Sequence, residues 1–134
     1  MIVATETPSQ QPRLKAPAGA CDCHIHVYDE RFALAPTATF SLDSGRCWIK
    51  LSAPYETSKT GAPHYDDVSA MARAYVKANP ERCLWASNWP HPNQNPAPSS
   101  AAMLDLLLDW AGDDSARRRI LVNNPAELYG FETV

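Results

Sequence analysis

Three short apolar runs, near 20–27, 46–52 and 83–88, constrain this chain more than any other feature, because two of them lead through a turn-rich stretch into a helical stripe. Parallel strands need long, usually helical, connections, so alternating strand and helix signals predict an α/β layer with parallel strands. The run Ala20-Cys21-Asp22-Cys23-His24-Ile25-His26-Val27 alternates in period two. Asp22, His24 and His26 fall on one face; Cys21, Cys23, Ile25 and Val27 fall on the other. A polar face backed by an apolar one predicts a strand that lines a pocket. The second run, from Arg46 to Ser52, puts Trp48, Lys50 and Ser52 on one side. In the third, Leu84, Ala86 and Asn88 share a face.

Between the last two runs, Pro54, Gly61 and Pro63 mark a loop, and Asp66 or Asp67 is placed to cap a helix. Val68, Met71, Ala72, Tyr75 and Val76 give that helix an apolar stripe at i, i+3, i+4, i+7 and i+8. Asn79-Pro80 ends it. After the third run, Trp89-Pro90-His91-Pro92-Asn93 opens a long loop suited to substrate contacts. Ser99 or Ser100 then caps a helix through Met103, Leu104, Leu107, Leu108 and Trp110 that closes at Gly112. Asp113 or Asp114 opens another around 117–122. Asn124-Pro125 starts a last short turn ending at Gly130, with Pro at the first helical position.

The 134 residues suit a single domain, and 45% hydrophobic with 20% charged content is ordinary for a globular protein. A formal net charge of −3 offers no concentrated basic face for phosphates, so no nucleic-acid partner is expected. Arg117-Arg118-Arg119 reads as a solvated helix face. No apolar stretch approaches the roughly 20 residues of a membrane span, and neither a signal peptide nor a membrane partner is expected. The cytoplasm is the expected compartment, with the four cysteines as reduced thiols. Residues 1–19, rich in Pro, Gln, Thr and Ala, read as a flexible tail, and 20–134 as the folded domain.

Three stretches carry a family resemblance. Cys23-His24-Ile25-His26-Val27-Tyr28-Asp29 resembles the first barrel strand of the TIM-barrel amidohydrolases, which ends in a His-x-His pair. Trp85-Ala86-Ser87-Asn88-Trp89-Pro90-His91-Pro92 is similar to the late strand that supplies their Asp. Ile120-Leu121-Val122-Asn123-Asn124-Pro125-Ala126-Glu127-Leu128-Tyr129-Gly130-Phe131 resembles their C-terminal Asn-Pro-x-x-Leu-Tyr-Gly-Phe ending. The Trp-Pro-His-Pro phrase and Lys50-Leu51-Ser52-Ala53-Pro54-Tyr55 point to the lactonase-like branch, which includes 2-pyrone-4,6-dicarboxylate lactonase. The resemblance implies a hydrolase that opens a lactone or related C–O bond of a small carboxylated substrate by water attack.

Two departures accompany the match. A TIM barrel takes about 250 residues, so the resemblance implies a partial barrel in which the first strand joins the last third near 40–41. Second, the late-strand Asp of the family is Asn88 here. An amide cannot accept a proton at neutral pH, and a general base contributes about 10²–10⁴-fold. The catalytic candidates carried over are His24 and His26, to polarise the carbonyl or position water, and Asn88; the bland alternatives are locally bonded histidines and a polar strand-end cap. Lys50, Tyr55 and His91 are candidate substrate contacts, while Glu56 stands where the branch often has Arg, which weakens anion binding. A catalytically impaired remnant or small-ligand-binding protein is the alternative function.

The resemblance implies no cofactor in the metal-free lactonases and a divalent metal such as zinc in other relatives, held by His24 and His26. The alternation sends Cys21 and Cys23 away from those histidines, which argues against a mixed thiol–imidazole cluster. A barrel sector has two raw sheet edges, so a homo-oligomer or a rearrangement away from the barrel is expected rather than a lone monomer. The first strand should bring His24, His26 and Asn88 to one cavity. Zinc wants three or four protein ligands, and this set is short of a His and an Asp. Elemental analysis of protein purified without chelators should therefore find well below one zinc per chain; a stoichiometric amount would refute this.

Overall fold

Residues 66–78 form the longest helix among the described residues because their apolar side chains recur at helical spacing and no Gly or Pro interrupts them. The computed structural model describes residues 11–23 and 48–132, and within them this helix, α1 (Asp66–Ala78), connects two parallel strands. β1 (Ile49–Leu51) and β2 (Cys83–Trp85) pair in register, Ile49 with Cys83, Lys50 with Leu84 and Leu51 with Trp85. The α/β class expected from the sequence is therefore observed, in the form of a two-stranded parallel sheet with helices. A third segment joins it. The Cys23 N–H donates to the Trp85 carbonyl at 3.0 Å, and the Ala86 N–H donates to the Leu51 carbonyl at 3.3 Å. Successive strand residues turn their amides to opposite edges, so Cys23 stands on the edge of β2 away from β1.

Both faces of β2 are covered. Cys83 and Trp85 enter the main core with Leu51, Val76, Leu107, Ile120 and others. Leu84 and Ala86 pack with Cys23 in a smaller cluster, against Cys21, Trp48 and Tyr129. All six residues 83–88 are buried, as expected for a parallel strand sandwiched between layers.

Several local expectations are corrected. The N-cap of α1 is Tyr65, in the left-handed region at φ 49° and without a side-chain cap bond. Asp67 instead accepts from Ser58 Oγ, Thr60 Oγ1 and the Lys59 N–H, which ties the preceding loop to the helix and holds its carboxyl well below the ordinary value. Met71 is 47% exposed; the inward stripe runs through Ser69, Ala72 and Val76. Ser69 is tolerated there because its hydroxyl donates to the His64 carbonyl and accepts from the Trp110 indole N–H.

The helix expected to run unbroken to Gly112 is two pieces, α2 (Ser100–Asp105) and α3 (Leu107–Trp110), separated at Leu106. Ser99 caps α2 by accepting from the Ala102 N–H. Arg117, expected on a solvated face, has a side chain only 13% exposed and donates to the Ala111 carbonyl and to Asp114. Leu14, placed in the tail by composition, is buried in the main core, and its N–H donates to Asp105 at 2.8 Å.

The C-terminal helical run is continuous where two elements were expected. α4 (Asp114–Arg118) passes through a π-helical turn (Arg119–Asn123) into α5 (Asn124–Tyr129), which ends at Gly130 with φ 72°. Pro125 explains the wide turn. It has no N–H, and its ring crowds the carbonyl four residues back. That carbonyl belongs to Leu121, and it accepts instead from the Cys21 N–H at 2.7 Å. Asn124, almost fully buried, donates its side-chain amide to the Pro80 carbonyl at 2.8 Å and the Cys83 carbonyl at 2.7 Å.

Replacing Asn124 with Ala or Asp strips the donors from two buried carbonyls. The expected loss is about 3 kcal/mol for either variant, read from urea unfolding. A change below about 0.5 kcal/mol would show that water or another group satisfies them.

Candidate functional site at the strand ends

Both parallel strands end in backbone conformations that turn side chains inward over the sheet. After β1, Ala53 adopts φ 47° and feeds a 3₁₀ turn, Pro54–Glu56. After β2, Asn88, His91 and Asn93 have φ values of 60°, 57° and 64°. Left-handed backbone is costly for most L-residues, but Asn and His occupy it several-fold more often than average. The loop thus spends residue types that tolerate the turn, and two of them also carry the site.

Those turns bring Tyr55, Glu56, Asn88 and His91 together. The Asn88 side-chain amide donates to Tyr55 Oη at 2.8 Å and to Glu56 Oε1 at 3.3 Å. Tyr55 Oη lies 3.0 Å from His91 Nδ1, with the two rings edge to face at 5.7 Å between centroids. His91 Nε2 lies 3.1 Å from Ser100 Oγ, at the start of α2. The His91 N–H also donates to the Asn88 carbonyl at 2.8 Å. Asn88 and His91 are both buried.

Proton positions follow from the acids. Burial, aided by the negative charge of Glu56, raises the Tyr55 phenol above its usual value, against the opposing bond from Asn88. At neutral pH the phenol therefore keeps its hydrogen. Among the described residues the acceptor in reach is His91 Nδ1. Both ring nitrogens of His91 thus lie within hydrogen-bond distance of protein oxygens, Tyr55 Oη and Ser100 Oγ.

An open cleft of about 750 Å³ lies beside this group, walled by Asp22, Trp85, Ser87, Trp89, Ser100 and Leu104 among others. Asp22 Oδ1 accepts from the Ser87 N–H at 2.9 Å, and Ser87 Oγ accepts from the Trp89 N–H at 3.0 Å. Asp22 therefore fixes the start of the loop, and Trp89, 52% exposed, forms the rim. Of the hydrogen-bonded group, Ser100 lines this cleft, and through it the cleft adjoins His91.

Of the residues singled out in the sequence, Asn88, Tyr55 and His91 converge. Lys50 is exposed on β1, where its register partner is Leu84. His24 and His26 lie outside the described residues, and so does their shared cavity with Asn88. Glu56, Asp22, Ser87 and Ser100 were not among the site candidates. Asp22 shared the alternating face with His24 and His26, and Glu56 adjoins Tyr55, but Ser100 showed itself only as a helix cap. Among the described residues no group of three or more His, Cys, Asp or Glu side chains is placed to hold a metal. His91 has Tyr55 and Ser100 within hydrogen-bond distance of its two nitrogens.

Cys21, Cys23 and Cys83 are free thiols. Burial pushes Cys23 up to about 12, with the Cys21 thiol and Asp22 adding to it, and burial alone pushes Cys83 up to about 11, both from 9.0. The folded state therefore holds thiol protons that the unfolded chain releases above pH 9. This contribution to stability is complete below pH 9 and is lost as pH rises toward about 11–12. In urea unfolding between pH 8 and 10.5, a variant with Cys23→Ala and Cys83→Ala should lose less stability with rising pH than wild type. Parallel curves would contradict the assignment.

The comparisons with known proteins come to the same architecture. Residues 38–131 match the Amidohydrolase family. The chain is 38% identical to a D-galactarolactone isomerase of Agrobacterium fabrum over 69% of its own length and 32% of the relative's. It is 38% identical to a 4-sulfomuconolactone hydrolase of Hydrogenophaga intermedia over 62% and 28%. It is 34% identical to a 2-pyrone-4,6-dicarboxylate hydrolase of Comamonas testosteroni over 87% and 40%. A crystal structure of an Agrobacterium tumefaciens protein in its apo form superposes with a TM-score of 0.63 at 39% identity, covering 69% of this chain and 33% of that one. The chain spans about a third of the length of these relatives. With the family matched across most of its sequence, and with a site at the carboxyl ends of parallel strands, the chain belongs to the amidohydrolase family.

Proposed function

We propose that the protein is a hydrolase that opens the ring C–O bond of a small carboxylated lactone by attack of water. The observation that carries this reading is the convergence of Tyr55, Asn88 and His91 at the carboxyl ends of two parallel strands, beside an open cleft. Crevices at that end of parallel sheets are where α/β folds place ligands. Relatives whose names describe lactone hydrolases and a lactone isomerase support the substrate class.

In this reading β1, β2 and the segment around Cys23 are a sector of a TIM-barrel-like sheet, with 20–134 as the shortened domain, an N-terminal segment packed on it through Leu14, and the join near 40–41. Cys23 beside β2 supports it, because the first and last strands of a complete barrel are neighbours. His24 and His26 polarise the lactone carbonyl or position the water; Asn88 hydrogen-bonds the water or the substrate; Lys50, Tyr55 and His91 contact the substrate. No cofactor is needed. A divalent metal on His24 and His26 is the variant of this reading. The protein acts in the cytoplasm as a homo-oligomer, which protects the sheet edges. No described helix is long and apolar enough to cross a membrane.

A second reading, a small-ligand-binding remnant without turnover, is favoured by one observation: position 88 holds an amide that cannot take a proton from water. Incubating the purified chain with 4-sulfomuconolactone and 2-pyrone-4,6-dicarboxylate separates the two. Ring opening above the buffer rate is the expected result. Calorimetric binding without ring opening would establish the second reading, and neither binding nor turnover would defeat both.

A further inference from the structure

The carboxylate absent from position 88 is present one strand away. Glu56 lies in the 3₁₀ turn that follows β1, and its Oε1 accepts from the Asn88 amide at 3.3 Å. The same amide nitrogen donates to Tyr55, whose hydroxyl leads to His91 and Ser100. Asn88 thus holds Glu56 beside Tyr55, at the head of the Tyr55–His91–Ser100 chain. Glu56 remains exposed on its other side, where water reaches it. An Asp at 88 would instead set two carboxylates within about 3.3 Å, where both cannot stay ionised without a large penalty. The amide at 88 and the carboxylate at 56 are a matched pair.

We propose that Glu56 is the proton acceptor for the attacking water, an assignment that rests on the lactone-hydrolase reading of this site. The water oxygen bonds to the lactone carbonyl carbon while one of its protons passes to the Glu56 carboxylate, and the carbonyl electron pair moves onto its oxygen. The tetrahedral centre then re-forms the C=O bond and breaks the ring C–O bond. Glu56 returns its proton to the departing ring oxygen and ends as the carboxylate. One water is consumed, and one carboxylic acid and one hydroxyl are formed. Asn88 is the positioning residue for Glu56.

Two measurements on the full chain test this. The first is carboxyl-carbon NMR titration of the Asn88→Asp variant. The introduced carboxyl and Glu56 should titrate in two steps separated by more than about one pH unit, as interacting acids do; two independent, overlapping titrations would overturn the pairing. The second is ring opening of 2-pyrone-4,6-dicarboxylate. Glu56→Gln should lower kcat by about 10²–10⁴-fold with little change in KM and abolish the acid limb of the pH profile. Glu56→Asp, which keeps the charge, should retain part of the rate and that limb; it also serves as the reference if the Gln variant does not fold. Wild-type turnover that survives Glu56→Gln overturns the Glu56 assignment and leaves the hydrolase reading standing. A wild-type chain with no turnover overturns both.

Discussion

The arrangement depends on the hydrogen bonding that follows from Asn124-Pro125. Pro125 leaves the Leu121 carbonyl without its usual helical partner, and the chain gives that carbonyl to the Cys21 N–H. Asn124, one residue earlier, spends its amide on the carbonyls at the entry to β2. Two adjacent residues therefore fasten the C-terminal helix to the N-terminal segment and to the central strand at once. Buried carbonyls left without donors are costly, so this join fixes where β2 begins and, five residues on, where Asn88 stands. A segment near the end of the chain thus sets the geometry of a loop some thirty residues earlier.

Much of this was legible in the sequence. The α1 region and the Ser99 cap announce themselves because their signals are local: spacing along one helix, or a side chain bonding its own turn. The misplaced boundaries are those decided by distant partners. Met71 matches the apolar stripe by type, yet the helix rotates so that Ser69 meets Trp110. Arg117 reads as solvated because a charged side chain usually is, but the carbonyl at the end of α3 accepts a hydrogen bond from it. Leu14 sits in a compositionally plain stretch, yet it packs in the main core and its N–H donates to Asp105.

The site divides in the same way. Asn88 and His91 stood out because they lie in a family phrase, and Tyr55 because it lies in another. Glu56 and Ser100 belong to the group through hydrogen bonds spanning 32 and 9 residues, and no periodicity encodes those. Nor does sequence alone show that Asn88, His91 and Asn93 share left-handed backbone. In hindsight the residue types are suggestive, since the positions that must turn are Asn and His rather than β-branched residues. The loop's chemistry and its geometry are thus drawn from one small set of side chains.

β2 is enclosed by β1, by the Cys23 segment and by helices on its faces, whereas the loop that starts at Trp89 is rimmed by solvent. Local opening free energies follow such differences in enclosure. That enclosure sets residues 83–86 apart from the solvent-facing rim at Trp89. Asn88 lies at the boundary between these regimes. Its carbonyl is held by the His91 N–H, while the half-exposed indole of Trp89 faces solvent. A ligand approaching from the Trp89 side therefore meets a loop first, and the strand behind it stays enclosed by its neighbours.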